Sequence, residues 1–83
     1  MKSVVVTGVS TGIGWGTTKV LTEAGFHVFG SVRKEADAQR LKQEFGERFT
    51  PLLFDVTDAE AVKRGADQVR AALKGEKLFG LVN

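Results

Sequence analysis

Val4-Val5-Val6-Thr7-Gly8-Val9-Ser10-Thr11-Gly12-Ile13-Gly14 is the stretch that decides the fold of this chain. Three β-branched residues make a short strand, and a segment with helical spacing begins at Ile13, so the glycines fall at a strand-to-helix turn. There they let the backbone bend tightly and come close to a ligand, while the first amides of the helix face the negative charge of a diphosphate. Gly8-x-x-x-Gly12-x-Gly14 is one variant of the dinucleotide-binding turn; taken alone, such a pattern also fits an ordinary glycine turn. A Walker-type phosphate loop is excluded, because no Gly-Lys-Ser/Thr follows at the needed spacing.

Outward from the turn, strand-like and helix-like runs alternate. Ile13, Thr17, Val20, Leu21 and Ala24 predict a helix with one apolar face, closed at Gly25 by a left-handed cap. A second strand is expected over 27–32, and Ala38, Leu41 and Phe45 predict a second helix ending at Gly46. The third strand is expected over 49–54; Pro51 has no amide for a ladder and suits an edge position. Thr57-Asp58-Ala59-Glu60 reads as a capping box ahead of a third helix carrying Val62, Ala66, Val69 and Leu73, with Gly75 at its end. A last strand is expected over 78–82, with Asn83 at its carboxyl end. This βαβαβαβ order predicts an α/β, Rossmann-like parallel sheet with right-handed crossovers and strand order 3-2-1-4. The order reverses between the first and fourth strands, and a ligand crevice is expected there, at the mouth of the glycine turn.

Composition narrows the function classes. Residues 1–83 are expected to form part of one dinucleotide-binding domain without internal boundary. A net charge of +2 with no Lys/Arg stripe gives nucleic-acid binding little support. Cysteine is absent and His27 is the sole histidine, so neither a disulfide nor a metal site is expected. His27 reads as structural, and Trp15 as a packing residue. No apolar run is long enough for a membrane span, and a cytoplasmic protein is the expectation.

Three motifs in order resemble those of the short-chain dehydrogenase/reductase family, and the match spans essentially the whole chain. They are Thr7-Gly8-x-x-x-Gly12-Ile13-Gly14, Asp55-Val56-Thr57 after the third strand, and Leu81-Val82-Asn83, similar to the lead into that family's Asn-Asn-Ala-Gly. Methyltransferases and sugar epimerases, which share the Rossmann fold, usually space their glycines differently. The resemblance implies a nicotinamide cofactor and hydride transfer between it and a small carbonyl or alcohol substrate.

Carried onto this sequence, the resemblance implies that the backbone around Gly8, Ser10, Thr11, Gly12, Ile13 and Gly14 holds the diphosphate and the adjacent ribose. It gives Asp55 the adenine amino group, Val56 the base, and Asn83 a place near the cofactor ribose. A helix-entry carboxylate near the capping box is the alternative reading of Asp55. Cofactor choice turns on Ser31-Val32-Arg33-Lys34: Val32 stands where NAD-dependent enzymes place an acid, and the planar fork of Arg33 suits a 2′-phosphate. NADP is thus expected over NAD, although Thr11 departs from the basic residue that some NADP-preferring relatives carry before the second glycine.

The sequence has no tyrosine. The family's Tyr-x-x-x-Lys and its serine therefore lie outside this chain, which is expected to be an inactive fragment of a larger doubly wound, homo-oligomeric enzyme. A non-catalytic dinucleotide-binding or interaction module is the alternative. In the fragment the apolar strand 78–82 becomes an open edge, and self-association through it is expected.

Overall fold

A computed structural model of the chain describes residues 2–10, 12–55 and 57–82. Elements run β1 (Ser3–Val6), α1 (Gly12–Glu23), β2 (His27–Val32), α2 (Glu35–Phe45), a 3-10 turn (Gly46–Arg48), β3 (Phe49–Leu53), α3 (Ala59–Leu73) and β4 (Gly80–Val82). The four strands are parallel and ordered β3-β2-β1-β4, as the alternation of elements requires. Pro51 sits opposite Gly30 on the edge strand β3, where its missing amide is tolerated.

Period-two alternation sends the strand side chains to two separate cores. On one face Val4, Val6, Val28, Val32 and Phe49 meet Ala38 and Leu41 of α2, with Trp15, Leu21 and Phe45 packed around them. On the other, Phe29 and Leu52 meet Val69 of α3, flanked by Val5, Phe54 and Leu73. The rings of Phe49 and Phe45 lie 5.6 Å apart, and the Trp15 ring lies 6.0 Å from Phe45 in a tilted arrangement, so Trp15 is a packing residue. At Gly30 a Cβ would stand 2.5 Å from the Phe49 ring and 2.8 Å from a Val9 methyl, which is why a strand otherwise rich in bulky residues has glycine there.

Three local expectations are corrected. The buried residues of α1 are Thr18 and Thr22, in a row with the half-buried Gly14, whereas Ile13 and Val20 are exposed. Threonine is tolerated inside because each hydroxyl donates to a carbonyl one turn back: Thr18 to Gly14 at 2.8 Å and Thr22 to Thr18 at 2.9 Å. The start of α3 is capped by Asp58, whose carboxylate accepts from the Ala61 amide at 3.2 Å. Thr57 does not cap it, because its amide and hydroxyl both go to Asp55. The buried stripe of α3 is Ala61, Gly65 and Val69 rather than the Val62 and Ala66 row. Gly65 lets the helix close on the Phe54 ring, 2.6 Å from where its Cβ would be.

Val62 and Ala66 instead line an apolar groove of about 500 Å³, shared with Val5, Leu52, Leu78 and Leu81. It lies beside α3 over β1 and β4. The exit of α3 also differs in detail, since Lys74 takes the left-handed conformation and Gly75 follows it with φ +89°. β4 is shorter than expected; Leu78 and Phe79 precede it, and Phe79 donates its amide to Ser3 at 2.8 Å. Among the described residues, no helix is long and apolar enough to cross a membrane.

His27 is structural, sharing a 2.8 Å hydrogen bond between its Nε2 and the Thr50 hydroxyl across β2 and β3. Burial first, and then the positive charge of Lys42, push its pKa below the ordinary value near 6.5. The unfolded chain therefore binds this proton more readily than the folded one. Stability that is full above pH 6.5 is lost as pH falls from there through the lower folded pKa. Thermal denaturation between pH 5 and pH 8 (roughly the span in which histidine titrates) is expected to show a falling midpoint on the acid side. His27→Gln is expected to flatten that slope.

Candidate cofactor site

The glycine turn leaves β1 at the reversal of strand order, between β2 and β4. It is anchored on both sides. The Thr7 amide donates to the Val82 carbonyl at 2.9 Å, tying the turn to β4. On the β2 side the Gly8 amide donates to the Ser31 hydroxyl at 2.8 Å, and the Val9 amide to the Ser31 carbonyl at 3.0 Å. The Val9 side chain is fully buried, which nails the middle of the turn into the core.

Gly8 and Gly12 both have φ +66°, a conformation that L side chains rarely adopt. No atom stands within 4 Å of where a Cβ would be at either, so that side of the turn is open. Gly14 is required for the opposite reason. A Cβ there would run into the Gly8 carbonyl, with the carbonyl carbon 2.9 Å away. Only glycine allows α1 to come down onto the turn.

This arrangement fits an anionic ligand. The first amides of α1 have no partners within the helix, and its first turn carries no acidic side chain to occupy them. The Gly8 amide is committed to Ser31, so Gly8 shapes the turn, and the open donors begin with the helix. Ile13 is 89% exposed at the head of α1, a large apolar surface beside the anion cradle. A ligand that is anionic in one part and flat and apolar in another would cover both.

Arg33 and Asp55 reach the same carboxyl edge of the sheet from β2 and β3, whose ends pair at Val32 and Leu53. Arg33 is exposed, while Val32 before it is buried in the core. Asp55 is half-buried, and its Oδ1 accepts the Thr57 amide and the Thr57 hydroxyl, both at 2.9 Å. Those two bonds, with a smaller contribution from the charge of Arg33, hold its carboxyl below the usual range. It is thus an ionised group with one oxygen engaged in the entry to α3. Ser10 lies in the turn. Thr11, Val56 and Asn83 lie outside the described residues.

Sequence reasoning missed two residues that hold the turn. Ser31 is 2% exposed, and a lone hydroxyl near the carboxyl end of an apolar strand was its visible signal. Arg40 of α2 donates to the Ser10 carbonyl at 3.1 Å. In sequence its Asp37-x-x-Arg40 spacing looks like any helix-surface pair. Replacing Ser31 by alanine leaves the Gly8 amide without its partner. The expected loss is about 1–3 kcal/mol of stability, read as a lower denaturant midpoint at unchanged slope.

A family model described as short chain dehydrogenase matches residues 2–83. The chain is 39% identical over 83 residues to an NADPH-dependent 3-dehydrocapnine reductase of Ornithobacterium rhinotracheale, covering 100% of this chain and 29% of that protein. Among solved structures it is similar to a short-chain dehydrogenase from Streptomyces avermitilis, with TM-score 0.86 and 28% identity over 98% of this chain and 30% of the other. It is also similar to a 3-ketoacyl-(acyl-carrier-protein) reductase from Brucella melitensis complexed with NADH, with TM-score 0.81 and 30% identity over 96% and 32% of the two chains. The 83 residues therefore span less than a third of the length of each.

Proposed function

Because the chain belongs to the short-chain dehydrogenase family, we propose that it is the cofactor-binding portion of an NADP(H)-dependent oxidoreductase acting on a small carbonyl or alcohol substrate. The observation that carries this reading is the anion cradle: a glycine turn open on one side, with the head of α1 brought down onto it by Gly14. The amides from Gly12 onward would take the diphosphate, with Ser10 and Thr11 beside it, and Ile13 would offer apolar surface to the ring beyond. When bound, the nicotinamide supplies or accepts the hydride.

Arg33 is proposed to read the ribose 2′-phosphate. The buried Val32 offers no carboxylate to a ribose diol, and an exposed guanidinium beside it can form paired hydrogen bonds to a phosphate. Asp55 keeps one carboxylate oxygen outside its bonds to Thr57, and we assign that oxygen to the adenine amino group, with Val56 against the base. Asn83 is proposed to lie near the cofactor ribose. The name of the Ornithobacterium relative supports NADP, whereas the Brucella structure holds NADH. With no tyrosine in the sequence, proton transfer falls to residues outside these 83, and the chain alone is expected to be inactive.

Calorimetry on the full-length gene product tests the reading. NADPH is expected to bind more tightly than NADH. Arg33→Ala is expected to weaken NADPH by about tenfold, the equivalent of roughly 1.4 kcal/mol, while leaving NADH nearly unchanged. Equal or tighter binding of NADH defeats the NADP assignment, and binding of neither defeats the cofactor reading.

The exposed Leu78, Phe79 and Leu81 on and before β4 support a second expectation. Expressed alone, the 83-residue chain should self-associate, and sedimentation at tens of micromolar (roughly the range in which open edges associate) reads this directly. A clean monomer would count against it.

A further inference from the structure

We propose that Arg40 is a positioning residue for the glycine turn, holding the Ser10 carbonyl away from the side on which the free amides at the head of α1 would meet the nucleotide. The proposal rests on the dinucleotide reading above and adds to it a residue from a different helix. Among the described residues, Arg40 is the only α2 side chain hydrogen-bonded to the turn: its Nη2 lies 3.1 Å from the Ser10 carbonyl oxygen. The same nitrogen lies 3.3 Å from Oδ1 of Asp37, one turn earlier on α2.

The turn has three held points and one that would otherwise swing. Thr7 is tied to β4, Gly8 and Val9 are tied to Ser31, and Gly14 closes the far end against Gly8. Ser10 lies between these anchors, followed within two residues by the positive φ of Gly12, where the backbone reverses. A carbonyl oxygen held by a charge-assisted hydrogen bond on the α2 side is kept from turning toward an anion on the open side of the turn. Arg40 grips that carbonyl from the α2 side, which leaves the opposite side to the ligand.

Asp37 decides what kind of role this is. Its carboxylate pairs with the guanidinium at 3.3 Å, and it sits favourably in the first turn of α2. A cation already paired with a carboxylate adds little to the attraction of a phosphate. Arg40 therefore acts on the shape of the turn, which NADPH and NADH share, and the 2′-phosphate is left to Arg33.

The experiment is a titration of the full-length gene product with NADPH and, separately, with NADH, followed by calorimetry and by Trp15 fluorescence. Arg40→Ala and the stem-preserving Arg40→Met are expected to weaken both nucleotides by the same factor, about 3- to 10-fold for one lost hydrogen bond. The NADPH/NADH ratio should stay at its wild-type value. Arg40→Lys, which keeps a cationic donor on a long stem, is expected to recover most of the loss. Unchanged affinity in both neutral variants overturns the proposal. So does a loss confined to NADPH, which would make Arg40 a phosphate reader, and so does a lysine variant as weak as alanine. Failure of the wild-type protein to bind either nucleotide removes the dinucleotide reading and this proposal with it; wild-type binding with indifferent Arg40 variants removes the proposal alone.

Discussion

The closeness of Gly14 to the Gly8 carbonyl sets the geometry on which the rest of the site depends. It fixes how far α1 descends onto the end of β1, and so where the free amides at the head of that helix point. Any side chain at position 14 would lift the helix and open the turn. The same descent dictates what the buried face of α1 is made of. A helix this close to the sheet leaves room for glycine and threonine, and the row Gly14, Thr18, Thr22 is the result. Their hydroxyls cost little there because each is bonded to a carbonyl of the preceding turn.

That constraint explains which parts of the sequence were legible. Strand and helix existence, strand order and the place of the glycine turn follow from alternation and from Gly8, Gly12 and Gly14, and they came through. The sidedness of α1 and α3 came through only in part, at Leu21, Val69 and Leu73. A hydrophobicity pattern assumes that the apolar residues are the ones nearest the sheet, but closest approach selects the small ones, Gly14 and Gly65. Ile13 and Val20 were accordingly assigned to a core that holds threonines. The Thr57 cap failed for a related reason. Asp55 stands two residues before it and competes successfully for both of its hydrogen-bonding groups, so the helix begins at the next available carboxylate, Asp58.

The two faces of the sheet are unequally finished. Against α1 and α2 the core is closed by an aromatic row of Trp15, Phe45 and Phe49 over a floor of valines. Against α3 the buried hydrophobic cluster is small, Phe29, Leu52 and Val69, and the apolar side of the helix continues into the groove over β1 and β4. Val62 and Ala66 belong to that continuation. Their apolar spacing, which looked like a sheet-facing stripe, is half a stripe for the sheet and half for whatever fills the groove. A parallel sheet is ordinarily covered on both faces, so the residues along this groove carry a hydrophobic pattern that four strands and three helices do not use up.

The residues that hold the turn come from elements far apart in sequence, and this is why they were hardest to find. Ser31 acts from β2, Val82 from β4 and Arg40 from α2, each through a hydrogen bond to main-chain atoms of the turn. A motif search looks at side chains that repeat at fixed spacing, whereas main-chain partners leave no spacing to search for. Their division of labour is nonetheless physical. Ser31 and Val82 accept amides that would otherwise be stranded against the sheet, and Arg40 donates to the Ser10 carbonyl from α2. What remains open is a set of donors with a single direction, and a site built from backbone dipoles alone cannot tell one dinucleotide from another. Discrimination has to come from side chains at the rim, and at this carboxyl edge the exposed Arg33 and Lys34 both stand outside the described side-chain hydrogen bonds and ion pairs.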